Sequence, residues 1–498
     1  MKYKLQVDSF PKKISFKKES AYLKFFTASK DISRAVKLFE AEFGVKLNSL
    51  QRKNFLDKKT NEIRFFASQG SPGLFILRKA VPDEKFDGDF FRNYLSGILP
   101  DIGKEKIKDF YIDIPGYAIY KKYFDREEYY YQTFLEGVYL GNYTFDKYKS
   151  DAEKSAVLNI NFLSLNKSKF SVVTKLTKSL MSSVFFARDL VCEPAIVMTP
   201  KELALRIRSE MSKNHVTVKE FNKAELKRRK MNAILAVGNA STNPPELIIL
   251  HYKGSSKPKR KIALVGKGVT YDTGGLSLKP TSNMLEMKAD MAGAAAVAGI
   301  ILAAAKSKLN VELIGVIPAV ENSVSGNSYK PGDIIRAYSG KTIEVKDTDA
   351  EGRIILADAL HYASEQKPDE ILDFATLTGA ICVALGLFSA GLFTKNDILA
   401  EKLIRASDKT HERIWRMPFD DDYNELIKSE IADVANLGSR WGGAITAGKF
   451  LEHFVDKKIP YAHLDIAGPA LKHKYKNYTE KYETGFGVRL IFDYLNNL

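Results

Sequence analysis

The heptapeptide "DTDAEGR" sets carboxylates at Asp347, Asp349 and Glu351 and a guanidinium at Arg353. If the segment is extended, alternate residues share a face and the three acids crowd together, which is tolerable only beside positive charge. Two upstream stretches supply similar residues. The glycine-rich "KGVTYDTGGLSLKP" offers Lys267, Asp272 and Lys279, and "NMLEMKADMAGAAAVAGIILAAA" sets Asp290 among Ala, Gly and Met. Together Asp272, Asp290, Asp349 and Glu351 would present four negative charges, which two divalent cations balance. Such a pair, ~3.5–4 Å apart, can activate a water and polarise a carbonyl or phosphoryl group. Lys279 and Arg353 would then face the oxyanion that develops on attack. Lys267 is either a further cation or, deprotonated beside metal in a desolvated site, a ligand. The seven histidines are scattered and form no H-E-x-x-H pair, so His361 and His463 read as structural. A site rich in carboxylate and poor in imidazole favours Mn2+, Zn2+ or Mg2+ over copper or nickel. Two plainer readings compete. Asp290 could simply pair with Lys288 or another base. The glycine-rich stretch could cradle a phosphate, but Gly268 follows Lys267 where Ser or Thr is needed, and the glycine spacing fits neither nucleotide fingerprint.

These residues must be held by regular elements. From "MTPKELALRIRSEM" onward, helical stretches alternate with apolar runs that read as strands: "NAILAVG", "PELIILHY", "KIALVG", "VELIGVIPA", "EILDFATL" and "YAHLDIAG". That alternation predicts an α/β catalytic domain over 193–498, its mainly parallel central sheet flanked by helices. Ligands in such sheets sit off the carboxyl ends of the strands, and "KIALVG" runs straight into Lys267. The stretch holding Asp290 reads as one helix, with Asp290 on the face of Met287, Ala294 and Val297. A smaller N-terminal α/β domain is expected over 1–165, with strand-like "GLFILRKA" and "IKDFYIDIP" and a helical stretch at "YYYQTFLEGVYLGNYTFDKYK". It carries no catalytic pattern, and an assembly or regulatory role is the economical reading. Between them, 166–192 reads as a linking helix that Pro194 stops.

Composition excludes several classes. The 498 residues, 45% hydrophobic and 11% aromatic, are enough for more than one core. The longest apolar run, Met291 to Ala305, is shorter than the ~20 residues a bilayer span needs and reads as a buried helix. The opening "MKYKLQVDSF" lacks the apolar core of a signal peptide, and Cys192 and Cys382 are too few for a disulfide framework, so a cytoplasmic location is expected. Half of the net charge of +16 lies in residues 1–150, which hold 28 basic and 20 acidic side chains. The excess is interspersed with acids and reads as a solvated surface, with nucleic-acid binding by a regulatory protein as the alternative. A two-metal phosphoesterase is the other rival.

The motifs together resemble one family, the leucyl (cytosol) aminopeptidases, or M17 metallopeptidases. "DTDAEGR" is similar to their N-T-D-A-E-G-R signature, and the likeness extends in order through "LVGKGVTYDTGGLSLKP", "MKADMAGAAAV", "SVSGNSYKPGD", "DFATLTGA", "GAITAGKFL" and "HLDIAGP". The resemblance implies an exopeptidase that removes N-terminal residues, often leucine, from peptide substrates. Asp272 and Glu351 would bridge two metals; Lys267 and Asp290 would complete one site, and Asp349 the more exchangeable other. Lys279 would polarise the substrate carbonyl, and Arg353 would hold a bicarbonate acting as general base. The specificity pocket would comprise Met287, Thr376, Gly379, Ala467 and Ala470. A homohexamer, a dimer of trimers, is also implied, and no membrane association. The chain departs from the pattern at Asp347, where the family has Asn, at Cys192 before "EP", in "NLGSRWGG", and at Ala470, where some relatives carry Met.

Overall fold

A computed structural model describes residues 2–9, 19–27, 32–57, 60–66, 73–84, 86–151 and 155–498. The chain divides into two compact units, Met1–Lys178 and Ser179–Leu498, the division falling inside the helix Lys167–Cys192. That helix starts within the polar patch "LNKSKFS" and ends two residues before Pro194.

The first unit is built on a six-stranded sheet in the order Tyr3–Ser9, Ala156–Leu163, Asp109–Asp113, Ser20–Phe26, Leu74–Lys79, Glu62–Phe66. Only the last pair runs antiparallel. Its core is aromatic, with Phe91 stacked on Phe134 at 4.3 Å between ring centres, a geometry that adds to area burial. Arg92 lies fully inside that core, its Nε donating to Glu136 at 2.6 Å and its Nη1 to Asp89 at 2.5 Å, since a buried charge must be paired. The long helical reading there holds only for Glu127–Gly141; "NYTFDKYK" leaves the helix at Asn142.

The second unit carries the mainly parallel sheet the sequence predicts. Its central strands, Glu312–Asn322, Lys261–Gly266, Glu370–Ala375 and Tyr461–Asp465, are all parallel, and Gly268–Asp272 adds in parallel to the first of them. Antiparallel strands Glu246–Lys253 and Thr217–Phe221 extend one side; Ala390–Phe393, antiparallel to Tyr461–Asp465, and Ile414–Arg416 extend the other. The central strands are buried almost throughout, which is why they read as continuous apolar runs.

One predicted strand is a helix. "NAILAVG" forms the helix Asn232–Gly238, because a short apolar run has no periodicity to separate the two states. Its first turn is capped from a distance: Asp358, fully buried, accepts the N–H groups of Ala233 and Ile234 at 3.0 and 3.1 Å and that of Tyr338 at 2.7 Å.

The helix Ala292–Lys306 lies against the sheet with every residue from Ala292 to Ala304 buried. Thr281–Lys306, the one stretch among the described residues long and apolar enough to cross a bilayer, has 89% of its apolar window buried. Close approach depends on Gly293. A Cβ there would lie 2.0 Å from the Phe374 carbonyl oxygen, and one at Gly266 would lie 2.6 Å from the Gly293 carbonyl. Gly293→Ala gains about 1 kcal/mol of helix propensity but forces two backbones apart. We expect a net loss of about 2 kcal/mol or more, read as a lower urea midpoint at unchanged slope.

Candidate active site

The candidate residues gather off the carboxyl ends of the central strands. Lys267 directly follows Lys261–Gly266, held by its N–H to the Phe374 carbonyl at 3.0 Å and by its own carbonyl to the Ala294 N–H at 2.8 Å. Asp272 ends its short strand, and its Oδ1 accepts the Gly274 N–H at 2.9 Å and Asn322 Nδ2–H at 2.8 Å. The turn after it needs glycine: Gly274 has φ +87°, and a Cβ there would meet Ser277 O at 2.5 Å.

Asp290 is not within the long helix. The chain forms a separate turn at Thr281–Met284 and a 3-10 turn at Met287–Ala289, and the helix starts only at Ala292. Thr376 holds Asp290 in that break, its Oγ1 2.7 Å from Asp290 Oδ1 and 3.2 Å from the Asp290 carbonyl. Met287 and Asp290 still share a wall of the cavity, whereas Ala294 and Val297 belong to the core. Lys288 turns away to the Cys192 carbonyl at 2.7 Å; the base beside Asp290 is Lys267.

"DTDAEGR" is a turn rather than an extended segment. Asp347 folds back, its Oδ1 accepting the Asp349 N–H at 2.8 Å and its carbonyl accepting Asn436 Nδ2–H at 2.6 Å. Asp347 therefore does not join the other two acids on one face. Asp349 and Glu351 do reach the cavity, Glu351 as the first residue of the helix Glu351–Glu365. The glycine of the motif has a steric reason: a Cβ at Gly352 would lie 2.4 Å from Lys267 Cε.

Oxygens of Asp272, Asp290 and Glu351 converge within 4.8 Å of one another, all three residues buried. Lys267 Nζ lies 2.8 Å from Asp290 Oδ2 and 2.9 Å from Glu351 Oε1, and donates to the Thr376 carbonyl at 3.0 Å. Lys279 Nζ lies 3.0 Å from Asp272 Oδ2 and 2.5 Å from Asp349 Oδ1. Burial raises the carboxyl pKa of Asp290 and of Glu351, with repulsion from Asp272 adding to it and Lys267 opposing. Burial alone would lower the Lys267 ammonium, yet Asp290, Glu351 and Asp272 outweigh it and its pKa is raised. Four acids against two ammonium groups leave negative charge in excess. Glu351 Oε2, buried, has no hydrogen-bond partner among the described residues. A hard divalent cation fits that donor set: clustered carboxylate oxygens, one of them orphaned.

A cavity of about 650 Å3 opens over these groups, lined also by Met287, Thr376, Gly379 and Ala467. Ala470 is not on its wall; it is buried behind, and Leu471 lines the cavity instead. Arg353 is likewise buried behind the acids, its Nη1 donating to the Asn436 carbonyl at 2.7 Å, and burial lowers its pKa to about 10 against the pull of Glu351, Asp465 and Asp347. His463 sits in the core 2.7 Å from Asp373, and the half-buried His361 lies 4.0 Å from Glu365, so neither reaches the cluster. A larger cleft of about 760 Å3 includes Lys395, Asp421 and Glu452, but those charges pair among themselves. Asn322, Leu377, Thr378, Cys382 and Leu471 are not among the residues the sequence singles out. Asn322 had a signal, as a polar residue closing a long apolar strand; the others had none.

Residues 185–492 match the model of the cytosol aminopeptidase family, catalytic domain. The chain belongs to the cytosol aminopeptidase family. It is 44% identical to a probable cytosol aminopeptidase of Persephonella marina over 457 residues, 91% of each chain. Among solved structures it resembles a tomato leucine aminopeptidase mutant at TM-score 0.88 and 30% identity, over 100% of this chain and 97% of that one. It also resembles the bottromycin maturation enzyme BotP in complex with Mn at TM-score 0.81 and 29% identity, over 96% and 98% of the two chains. These neighbours bear out the two-domain α/β fold. Family membership makes the protein a hydrolytic aminopeptidase and does not favour the nucleic-acid-binding or phosphoesterase readings.

Proposed function

We propose that the protein removes N-terminal residues, leucine and other apolar ones preferentially, from peptides, with two divalent cations at the cluster. The convergence of Asp272, Asp290 and Glu351 within 4.8 Å carries this reading. Asp272, Asp290, Asp349 and Glu351 would hold the cations, together with Lys267 once its ammonium has given up a proton. Mn2+ or Zn2+, with Mg2+ also compatible, would supply Lewis acidity to a carbonyl and an acidified water; the manganese-bound relative supports that choice.

The protein's own groups do the rest. A free, neutral α-amine joining the donors around one cation would measure the substrate from its N-terminus. Met287, Ala467 and Leu471 offer the first side chain an apolar wall. Lys279 projects its charge into the cavity, where it can stabilise a carbonyl oxygen as negative charge develops. Arg353, with a buried Nε that has no partner among the described residues, is suited to an anion such as bicarbonate. A cytoplasmic homohexamer, with the first unit in assembly or regulation, completes the reading.

The test is a panel assayed with each metal in turn. Leucine should be released from Leu-p-nitroanilide and from unblocked peptides, and the same peptides acetylated at the N-terminus should stay intact. Cleavage of acetylated peptides at an undiminished rate would overturn the exopeptidase assignment, and phosphate release from esters in place of leucine would favour the phosphoesterase.

A further inference from the structure

Beneath the cavity wall lies an acid that touches neither the cluster nor the cavity. Asp465 ends the strand Tyr461–Asp465 and is wholly buried. Its Oδ1 accepts the Leu377 N–H at 3.1 Å and the Ala467 N–H at 3.3 Å, and its Oδ2 accepts the Thr378 hydroxyl at 2.7 Å. Leu377, Thr378 and Ala467 all line the cavity, and they come from the loops after two neighbouring parallel strands. Thr378 Oγ1 passes the connection on by accepting the Ile381 N–H at 3.1 Å, which caps the helix Gly379–Leu385. Cys382 of that helix faces the cavity too.

A buried carboxylate with three donors is stable only if its charge is compensated. His463, two residues earlier and so on the same side of the strand, is fully buried with Nδ1 2.7 Å from Asp373 Oδ1. Tyr461 donates to the other oxygen of Asp373 at 2.6 Å. Burial disfavours the imidazolium, but Asp373 first and Asp465 second outweigh it and raise its pKa. Asp373, His463 and Asp465 thus form a row of interacting groups behind the wall.

We propose that Asp465 is a positioning residue for side-chain selection: one carboxylate locks the 376–379 loop to the 466–470 loop and so fixes the width of the pocket that receives the substrate's first side chain. The inference rests on the aminopeptidase reading above. Its distinguishing feature is that loss of the lock should relax selectivity; because Thr376 of the locked loop also holds Asp290 and Lys267, Mn2+ content per chain is measured alongside and should stay at the wild-type level.

The experiment uses the full chain loaded with Mn2+, as wild type, Asp465→Asn and Thr378→Val. In Asp465→Asn the ratio of kcat/KM for Leu-p-nitroanilide over Ala-p-nitroanilide should fall about tenfold, chiefly through a higher KM for the leucine substrate. Hydrogen exchange should quicken in peptides covering 376–385 and stay unchanged in those covering 261–272. An unchanged ratio overturns the proposal, as does an equal loss on both substrates with exchange quickened throughout the unit. Should Asp465→Asn fail to fold, Thr378→Val deletes one of the three bonds and must move the ratio the same way; a parental ratio there overturns it. If the wild type cleaves neither substrate, the aminopeptidase reading falls instead, and exchange over 376–385 alone decides whether Asp465 holds the loops, unchanged exchange overturning it.

Discussion

Asp272→Ala should abolish release of leucine from Leu-p-nitroanilide, and a chelator should do the same to the wild type, with Mn2+ or Zn2+ restoring only the latter. Asp272 stands at the centre of the cluster, opposite Lys279 and within reach of both Asp290 and Glu351. Cations at such a site contribute several kcal/mol of transition-state stabilisation, so kcat/KM should drop by roughly a thousandfold or more. The variant should also bind less Mn2+ per chain, measured by elemental analysis after gel filtration, a readout independent of turnover. The Ala side chain removes one acceptor from Gly274 N–H and Asn322, so the melting temperature of the metal-free variant needs recording alongside. Full activity in the stripped wild-type protein would end the two-cation reading.

Lys279→Ala should lower kcat by about a hundred- to a thousandfold while KM changes little, the pattern of a group that acts in the transition state. Lys279 is the cation whose ammonium lies at the cavity between Asp272 and Asp349. Lys267, in contrast, is enclosed by Asp290, Glu351 and the Thr376 carbonyl. If Lys279 merely neutralised its two acids, Lys279→Ala would instead raise metal affinity and spare kcat. Steady-state kinetics at saturating Mn2+ separates the two outcomes.

Lys267, Asp272, Lys279, Asp290, Asp349 and Glu351 stand out in the sequence as candidates, since charges in apolar or glycine-rich runs are costly unless paired or ligating, and the structure brings all six to one cavity. Their local geometry is not legible in the same way. Periodicity placed Asp290 inside a helix, and a side-chain hydrogen bond from Thr376, 86 residues away, instead holds it in a break. Alternation placed Asp347 beside Asp349, but an acid followed two residues on by a free N–H bonds to that N–H when the backbone turns. "NAILAVG" was apolar enough for either element, and Asp358, more than 100 residues later, decided for helix by capping it.

The sequence by itself determined the kinds of groups at the site, the strands that deliver them and the family, because apolar runs, glycines and acids are properties of the chain at short range. Only the tertiary structure decided which acids converge, that Asp347 turns away, that Ala470 lies behind Leu471, and that Asp465 joins two loops. Each of those outcomes depends on which strands lie side by side: Leu377 and Asp465 are 88 residues apart in the chain and meet because their strands are parallel neighbours in one sheet. Hydrogen bonds over such separations leave no periodic trace in the residues that make them.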